Sequence, residues 1–149
     1  MFLFCAAGAS CAEETRGDAF IVSSIAEPTN LIPFFASDSA SADISRLIFN
    51  GLLKYDENIR LIGDLAERWE VTDGGKVIIF YLRKNVRWQD GKPFTAKDVV
   101  FTYEKVSDPA TPTPYGSDFG KIRSVRALDP YTVEVVYKEP FSPRSETHV

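Results

Sequence analysis

The sequence predicts an α+β domain, and three observations carry that prediction. Residues Tyr131 to Lys138 alternate Tyr131, Val133, Val135 and Tyr137 against Thr132, Glu134, Val136 and Lys138, the period of a strand with one apolar face. Asp73-Gly74-Gly75 lies between the runs Arg68 to Val71 and Val77 to Leu82, where its freedom to take positive backbone angles suits the turn of a hairpin. Two stretches, near 40–50 and 96–106, carry apolar residues at helical spacing behind residues able to cap a helix.

Taken in order, Phe20 to Ile25 is a short β-branched run that reads as an early buried strand. Glu27-Pro28 and Leu31-Ile32-Pro33 follow, and their prolines predict an extended, non-helical segment. Ile44, Leu47 and Ile48 predict the apolar stripe of a helix, with an N-cap in Ser39 to Asp43 and Gly51 as its terminal glycine. Leu52 to Tyr55 predicts a strand running into a turn at Asp56-Glu57-Asn58, whereas Leu61 to Ala66 is too short and mixed to assign. Val77 to Leu82 is apolar on both faces, which predicts an inner strand covered on both sides. Turns are expected at Arg83 to Asn85 and at Gln89 to Lys92, with Val86 to Trp88 between them.

Thr95 and Asp98 are spaced for a capping arrangement at the head of the second helix, whose buried stripe would be Val99, Val100, Tyr103 and Val106. Pro109, Pro112 and Pro114 with two glycines predict a long surface loop over 107–120. Strands at Lys121 to Leu128 and Tyr131 to Lys138 then flank Asp129-Pro130.

With 149 residues the chain is long enough for one real core but short for two domains. Seventeen Lys and Arg against 21 Asp and Glu leave a net charge of −4, which argues against a nucleic-acid or anionic-membrane binder. Arg68, Arg83, Lys84 and Arg87 interleave with Trp69, Tyr81 and Trp88, but strand alternation is expected to put many of these charges opposite the aromatics. The one histidine is His148, so neither a His/Cys metal cluster nor a serine–histidine pair can be drawn. Gly74-Gly75 lacks the Lys-Ser/Thr of a phosphate loop. Neither catalysis nor a cofactor is expected.

Met1 to Ala12 contains no charge, and charged residues begin at Glu13. Residues 1–12 therefore read as a leader, cleaved after Ser10-Cys11-Ala12 or lipidated at Cys11. Its apolar run falls short of the ~20 residues a membrane span needs, so contact with a membrane would come only through a lipid anchor. Residues 13–143 form the expected domain and 144–149 a divergent tail.

One long stretch goes beyond composition. Leu65-Ala66-Glu67-Arg68-Trp69-Glu70-Val71-Thr72-Asp73-Gly74-Gly75-Lys76, continued by Tyr81-Leu82-Arg83-Lys84-Asn85-Val86-Arg87-Trp88-Gln89-Asp90-Gly91-Lys92-Pro93-Phe94-Thr95-Ala96-Lys97-Asp98-Val99-Val100-Phe101-Thr102-Tyr103, closely resembles the signature of the family 5 extracellular solute-binding proteins. These are the dipeptide and oligopeptide receptors of bacterial ABC importers. Glu27 to Phe34 resembles the family's opening segment, with Ile32 where aspartate is common, and agreement runs over about residues 19 to 143. The resemblance implies the N-terminal lobe portion, incomplete, of a two-lobed periplasmic-binding-protein fold of type II. It implies a receptor that closes around a peptide or other small solute and presents it to permease subunits, in the periplasm or anchored by lipid outside the cytoplasm.

Family members continue after Phe141-Ser142-Pro143 where this chain reads Arg144 to Val149, so a truncated or frameshifted gene, or an incomplete assembly, is expected. Alternatives are a sensory or structural use of the domain, for example the ligand-sensing part of a transcription regulator, or a non-functional gene fragment. Relatives of this fold take up peptides, nickel complexes, haem or oligosaccharides, so the resemblance leaves the ligand open.

The candidate ligand-binding residues are Glu27, Pro28, Thr29 and Asn30, a polar extended segment whose free backbone groups are expected to bond an extended peptide in strand fashion. The alternative is an ordinary strand-to-helix connection. The chain alone is expected to bind far more weakly than a closed two-lobed receptor, with Tyr131 to Tyr137 exposed as an edge prone to association.

Overall fold

A computed structural model describes residues 26–140. The early strand expected at Phe20 to Ile25, the leader with Cys11, and the tail lie outside the described residues.

The first element is helix α1, Ser39–Ile48, entered through an extended Asp38 whose carboxylate accepts the Ser41 amide. The cap is thus one residue earlier than the Ser39 to Asp43 stretch offered. At the other end Phe49 is extended and Gly51 plays no capping part. Instead the Gly51 carbonyl accepts the Leu65 amide at 3.0 Å, which ties the helix exit to later chain. A small antiparallel pair follows, β1 (Leu53–Tyr55) with β2 (Leu61–Gly63). Its loop is organised by Asp56, whose carboxylate accepts the amides of Asn58 and Arg60, both at 2.8 Å.

The main sheet has four antiparallel strands in the order β3–β4–β6–β5: β3 Ala66–Thr72, β4 Val77–Leu82, β5 Ile122–Asp129 and β6 Thr132–Tyr137. Between β3 and β4 the hairpin forms as expected, with positive φ at Asp73 (50°), Gly74 (62°) and Gly75 (96°). Aspartate and glycine are among the residues that tolerate that region, so the turn closes with little strain. Helix α2, Ala96–Ser107, crosses from β4 toward β5 and opens with the expected capping box, in which Asp98 accepts the Thr95 amide at 2.7 Å. A single helical turn, α3 (Gly116–Phe119), interrupts the loop expected over 107–120.

One face of this sheet forms the core. Ile78, Phe80 and Leu82 of β4 and Val133 and Val135 of β6 are buried in register, Ile78 beside Val135 and Phe80 beside Val133. Ala66, Phe94 and Ala96 complete the cluster, with Trp69 and Val99 packed against it. Along α2, Ala96 and Val106 are buried and Val99, Val100 and Tyr103 half-buried, close to the expected stripe.

Two expectations are overturned here and one holds only in part. β4 lies inside the sheet but is buried on one face only: Val77, Ile79 and Tyr81 are half-exposed, and among the described residues the second face carries ionic groups and no covering layer. On that face Arg68 stacks on the Tyr81 ring, 3.3 Å from its centre, and pairs with Glu70, while Arg126 pairs with Glu134. The expected separation of charge and aromatic holds for Trp69, which pairs with Phe80 on the core face opposite Arg68, while Arg68 and Tyr81 are an exception, since they are register partners on adjacent strands. Finally, β6 is no edge: β4 and β5 flank it, and β3 and β5 take the edges.

Candidate ligand-binding segment

The segment ahead of α1 is non-helical as expected but not extended: the chain bends at Thr29, where two successive amides turn to one acceptor, and closes a turn over 33–35, with Glu27, Pro28 and Thr29 exposed and Asn30 half-buried. Its position is set by a polar cluster at the head of the helix. Ser41, fully buried, accepts two successive amides on one oxygen: Thr29 N–H at 2.9 Å and Asn30 N–H at 3.1 Å. The same hydroxyl donates to Asp38 Oδ2 at 2.7 Å, and the Thr29 hydroxyl donates to that oxygen at 2.5 Å. One turn along, Ser45 donates to the Leu31 carbonyl at 3.2 Å. Asn30 Oδ1 accepts the Ile32 amide at 2.8 Å, closing a local turn.

These bonds decide the electrostatics. The Thr29 hydroxyl, then the amide and hydroxyl of Ser41, stabilise the charged carboxylate of Asp38 and pull its pKa from 3.8 down to about 2. The carboxylate also sits at the positive end of the α1 dipole, which favours the same state.

The arrangement sharpens the sequence reading. The amide donors of Thr29 and Asn30 are spent on Ser41, and the Thr29 hydroxyl on Asp38, so they do not supply the free backbone donors expected there. The segment leaves Glu27, Pro28 and Thr29 exposed, while Asn30 is half-buried with its Oδ1 bonded to the Ile32 amide. Asp38 and Ser41 had one signal in the sequence: an aspartate three residues before a serine at the start of a helical pattern. Ser41 was not singled out because a serine there reads as part of a cap rather than as an acceptor for chain twelve residues away.

Two further attachments hold this segment to the body of the domain. Thr113 donates to the Phe34 carbonyl at 2.7 Å and Tyr115 OH to the Ala36 carbonyl at 2.9 Å. Below α1, Asn50 donates to Asp64 at 3.0 Å and Lys54 pairs with the same carboxylate at 3.2 Å. Burial pushes the Asp64 pKa up, but those partners outweigh it and the net shift is downward. An open groove of about 560 Å³ lies beside the 107–113 loop, lined by Tyr103, Thr111, Thr113, Phe119, Arg123 and Lys138 among others. Among the described residues no group of His, Cys, Asp and Glu could hold a metal, and no helix is long and apolar enough to cross a membrane.

Comparison with known proteins places this geometry. The model of the bacterial extracellular solute-binding proteins, family 5 (middle), matches residues 60–148, more than half of the chain. The chain belongs to that family. The glutathione-binding protein GsiB of Escherichia coli O6:K15:H31 is 33% identical over 134 residues, spanning 90% of this chain and 26% of that protein. AppA of Bacillus subtilis, an oligopeptide-binding protein solved with a nonapeptide, superposes with a TM-score of 0.74 at 35% identity, over 77% of this chain and 23% of that one. NikZ of Campylobacter jejuni, solved with Ni(L-His), gives 0.71 at 34% identity over 78% and 23%. The fold is therefore part of a two-lobed periplasmic binding protein, and this chain spans about a quarter of the length of such relatives. These relatives are binding proteins, not enzymes.

Proposed function

We propose that the chain is part of the ligand-binding lobe of a solute receptor that serves an ABC importer and captures peptides or related small solutes without catalysis. The observation that supports this best is the superposition on AppA with its nonapeptide, at an identity high enough to carry more than the fold. Glutathione, a nonapeptide and nickel-bound histidine share α-amino and carboxylate groups, to which the first two add peptide amides. Glu27 to Asn30, held in a fixed bent course by Ser41 and Asp38, is a preformed polar surface for such a ligand. The Glu27 carboxylate and the carbonyl groups of the segment would accept from amide and ammonium donors of the ligand, without the ladder of bonds that strand addition would need.

Residues 13–143 would form the binding domain. Residues 1–12 would be its leader, with Cys11 the acylated residue if the protein is anchored outside the cytoplasm. Intact-mass measurement on the protein from its native host tests this: loss of the leader or a lipid on Cys11 supports export, and an unprocessed Met1 overturns it.

The ligand reading is tested on the isotope-labelled chain by titrating trialanine, histidine, glucose and AMP at millimolar concentration. Amide shifts at residues 26–31 with trialanine alone, or with trialanine and histidine, support it. Shifts produced by glucose or AMP and not by trialanine overturn it.

A further inference from the structure

We infer that Thr113 and Tyr115 are positioning residues for the ligand-contact segment: their hydroxyls clamp the 32–36 turn to the body of the domain and so fix where Glu27 to Asn30 sits. This rests on reading that segment as the ligand contact. The bonds span 79 residues of sequence, joining the proline-rich loop to the chain just ahead of α1.

The route from clamp to segment is short. The Ile32 carbonyl accepts the amides of Phe35 (3.0 Å) and Ala36 (3.2 Å), so the turn is closed on itself. Tyr115 holds the Ala36 carbonyl, and two residues later Asp38 caps α1 and binds the Thr29 hydroxyl. A ring brace accompanies the bonds: Phe34 meets Phe119 edge to face at 6.4 Å, and Phe119 meets Tyr103 of α2 at 6.4 Å. The turn is thereby referred to α2, which packs on the sheet.

The loop is built to hold its hydroxyls in place. Thr111 and Thr113 each precede a proline, which confines them to extended backbone, and Pro112 and Pro114 fix their own φ. Thr113 Oγ1 accepts the Tyr115 amide at 3.2 Å while donating to Phe34, so one hydroxyl couples both clamp residues. A stiff strut loses little further entropy on making these bonds.

The test uses the isotope-labelled full chain with Thr113→Val, Tyr115→Phe and, as rescue, Thr113→Ser, which keeps the hydroxyl. Amide hydrogen exchange is read at Thr29, Asn30, Phe35 and Ala36 against Ile78, Phe80, Val133 and Val135, and trialanine-induced shifts are read at residues 27–30. Thr113→Val and Tyr115→Phe are expected to speed exchange about five- to tenfold at the first set only, with Thr113→Ser within about twofold of the unmodified chain. The trialanine midpoint should rise about fivefold in the same two variants and recover in Thr113→Ser. Unchanged exchange at the first set, or equal acceleration at both sets, overturns the positioning role while leaving the ligand reading intact. Local acceleration in a chain that shows no trialanine shifts at 27–30 even when unmodified overturns the ligand reading and the positioning role with it.

Discussion

Helices α1 and α2 obey opposite rules. On α2 the buried positions are apolar, Ala96 and Val106, and the helix packs against β5 and β6 of the sheet. On α1 the buried positions are Ala40, Ser41 and Ser45, while Leu47, Ile48 and Phe49 beside it are exposed, Leu47 to 70%. In the first case burial follows hydrophobicity. In the second it follows the need of buried backbone amides for acceptors, which the serine hydroxyls and the Asp38 carboxylate meet. The sheet-and-α2 region is held by packing, and the α1 region by a handful of directed bonds to the segment that carries the candidate ligand contacts.

That contrast is broken most severely in the packed region. Leu82 is buried to 1% exposure and touches the centre of the cluster, so Leu82→Ala should cost about 2–5 kcal/mol through lost transfer energy and the cavity left behind. Urea unfolding followed by circular dichroism reads this as a large fall in midpoint. A loss under about 1 kcal/mol would mean that the site collapses around the truncation and is not the core. In the bonded region Ser41→Ala leaves two amides without their acceptor, costing about 1–3 kcal/mol if they stay buried. Because Thr29 is exposed, the change should appear first as local opening: exchange at Thr29 and Asn30 accelerates well before the sheet amides do. Uniform acceleration would show that α1 and the sheet unfold as one unit.

The same division governs what the sequence disclosed. β4, β6 and α2 were legible because apolar period, turn glycines and a capping pair all pointed to one structure. β2 was not, since Leu61, Ile62 and Gly63 are too few to show a period, and β1 and β2 are fixed by the Asp56 loop instead. The position of α1 was legible from Ile44, Leu47 and Ile48, yet Leu47 and Ile48 are exposed and only Ile44 is half-buried, as periodicity reports a face without saying what lies against it. The candidate segment was found by its prolines and its resemblance. The Thr113 and Tyr115 bonds to it were not, as nothing local in a proline-rich loop announces a partner 79 residues away.

A smaller effect reads the α1 region by pH. The folded pKa of Asp38 is depressed to about 2, so its bonds stabilise the fold above the ordinary carboxylate range and that contribution is lost as pH falls from about 4 toward 2. Melting curves from pH 7 down to 2 should show Asp38→Asn flatter than the unmodified chain over that window, with the two nearly parallel above pH 5. Parallel curves throughout would mean that the Thr29 and Ser41 bonds do not depend on the charge. The apolar cluster itself titrates nowhere in this window, but the sheet carries its own carboxylate, Asp129 at the end of β5, whose pKa is lowered by the Thr132 side chain and the Tyr131 amide, so Asp38→Asn isolates the α1 share of the acid response rather than all of it.

The smallest expected change falls on a residue that hydrophobicity alone would rank among the most important. Leu47 lies in α1 with the helical spacing of a core position, and a core leucine replaced by serine would cost several kcal/mol. Here its side chain is largely in water, so Leu47→Ser removes little buried area and should move the urea midpoint by no more than about 0.5 kcal/mol. Serine is a somewhat poorer helix former than leucine, which sets the sign of what remains. The control is Ser45→Leu, two residues away on the buried side, which removes the donor to the Leu31 carbonyl and forces bulk into a closed position. If Leu47→Ser proves as damaging as Ser45→Leu, the apolar side of α1 is packed in solution, and the opposition between the two helices fails at the residue where it is stated most sharply.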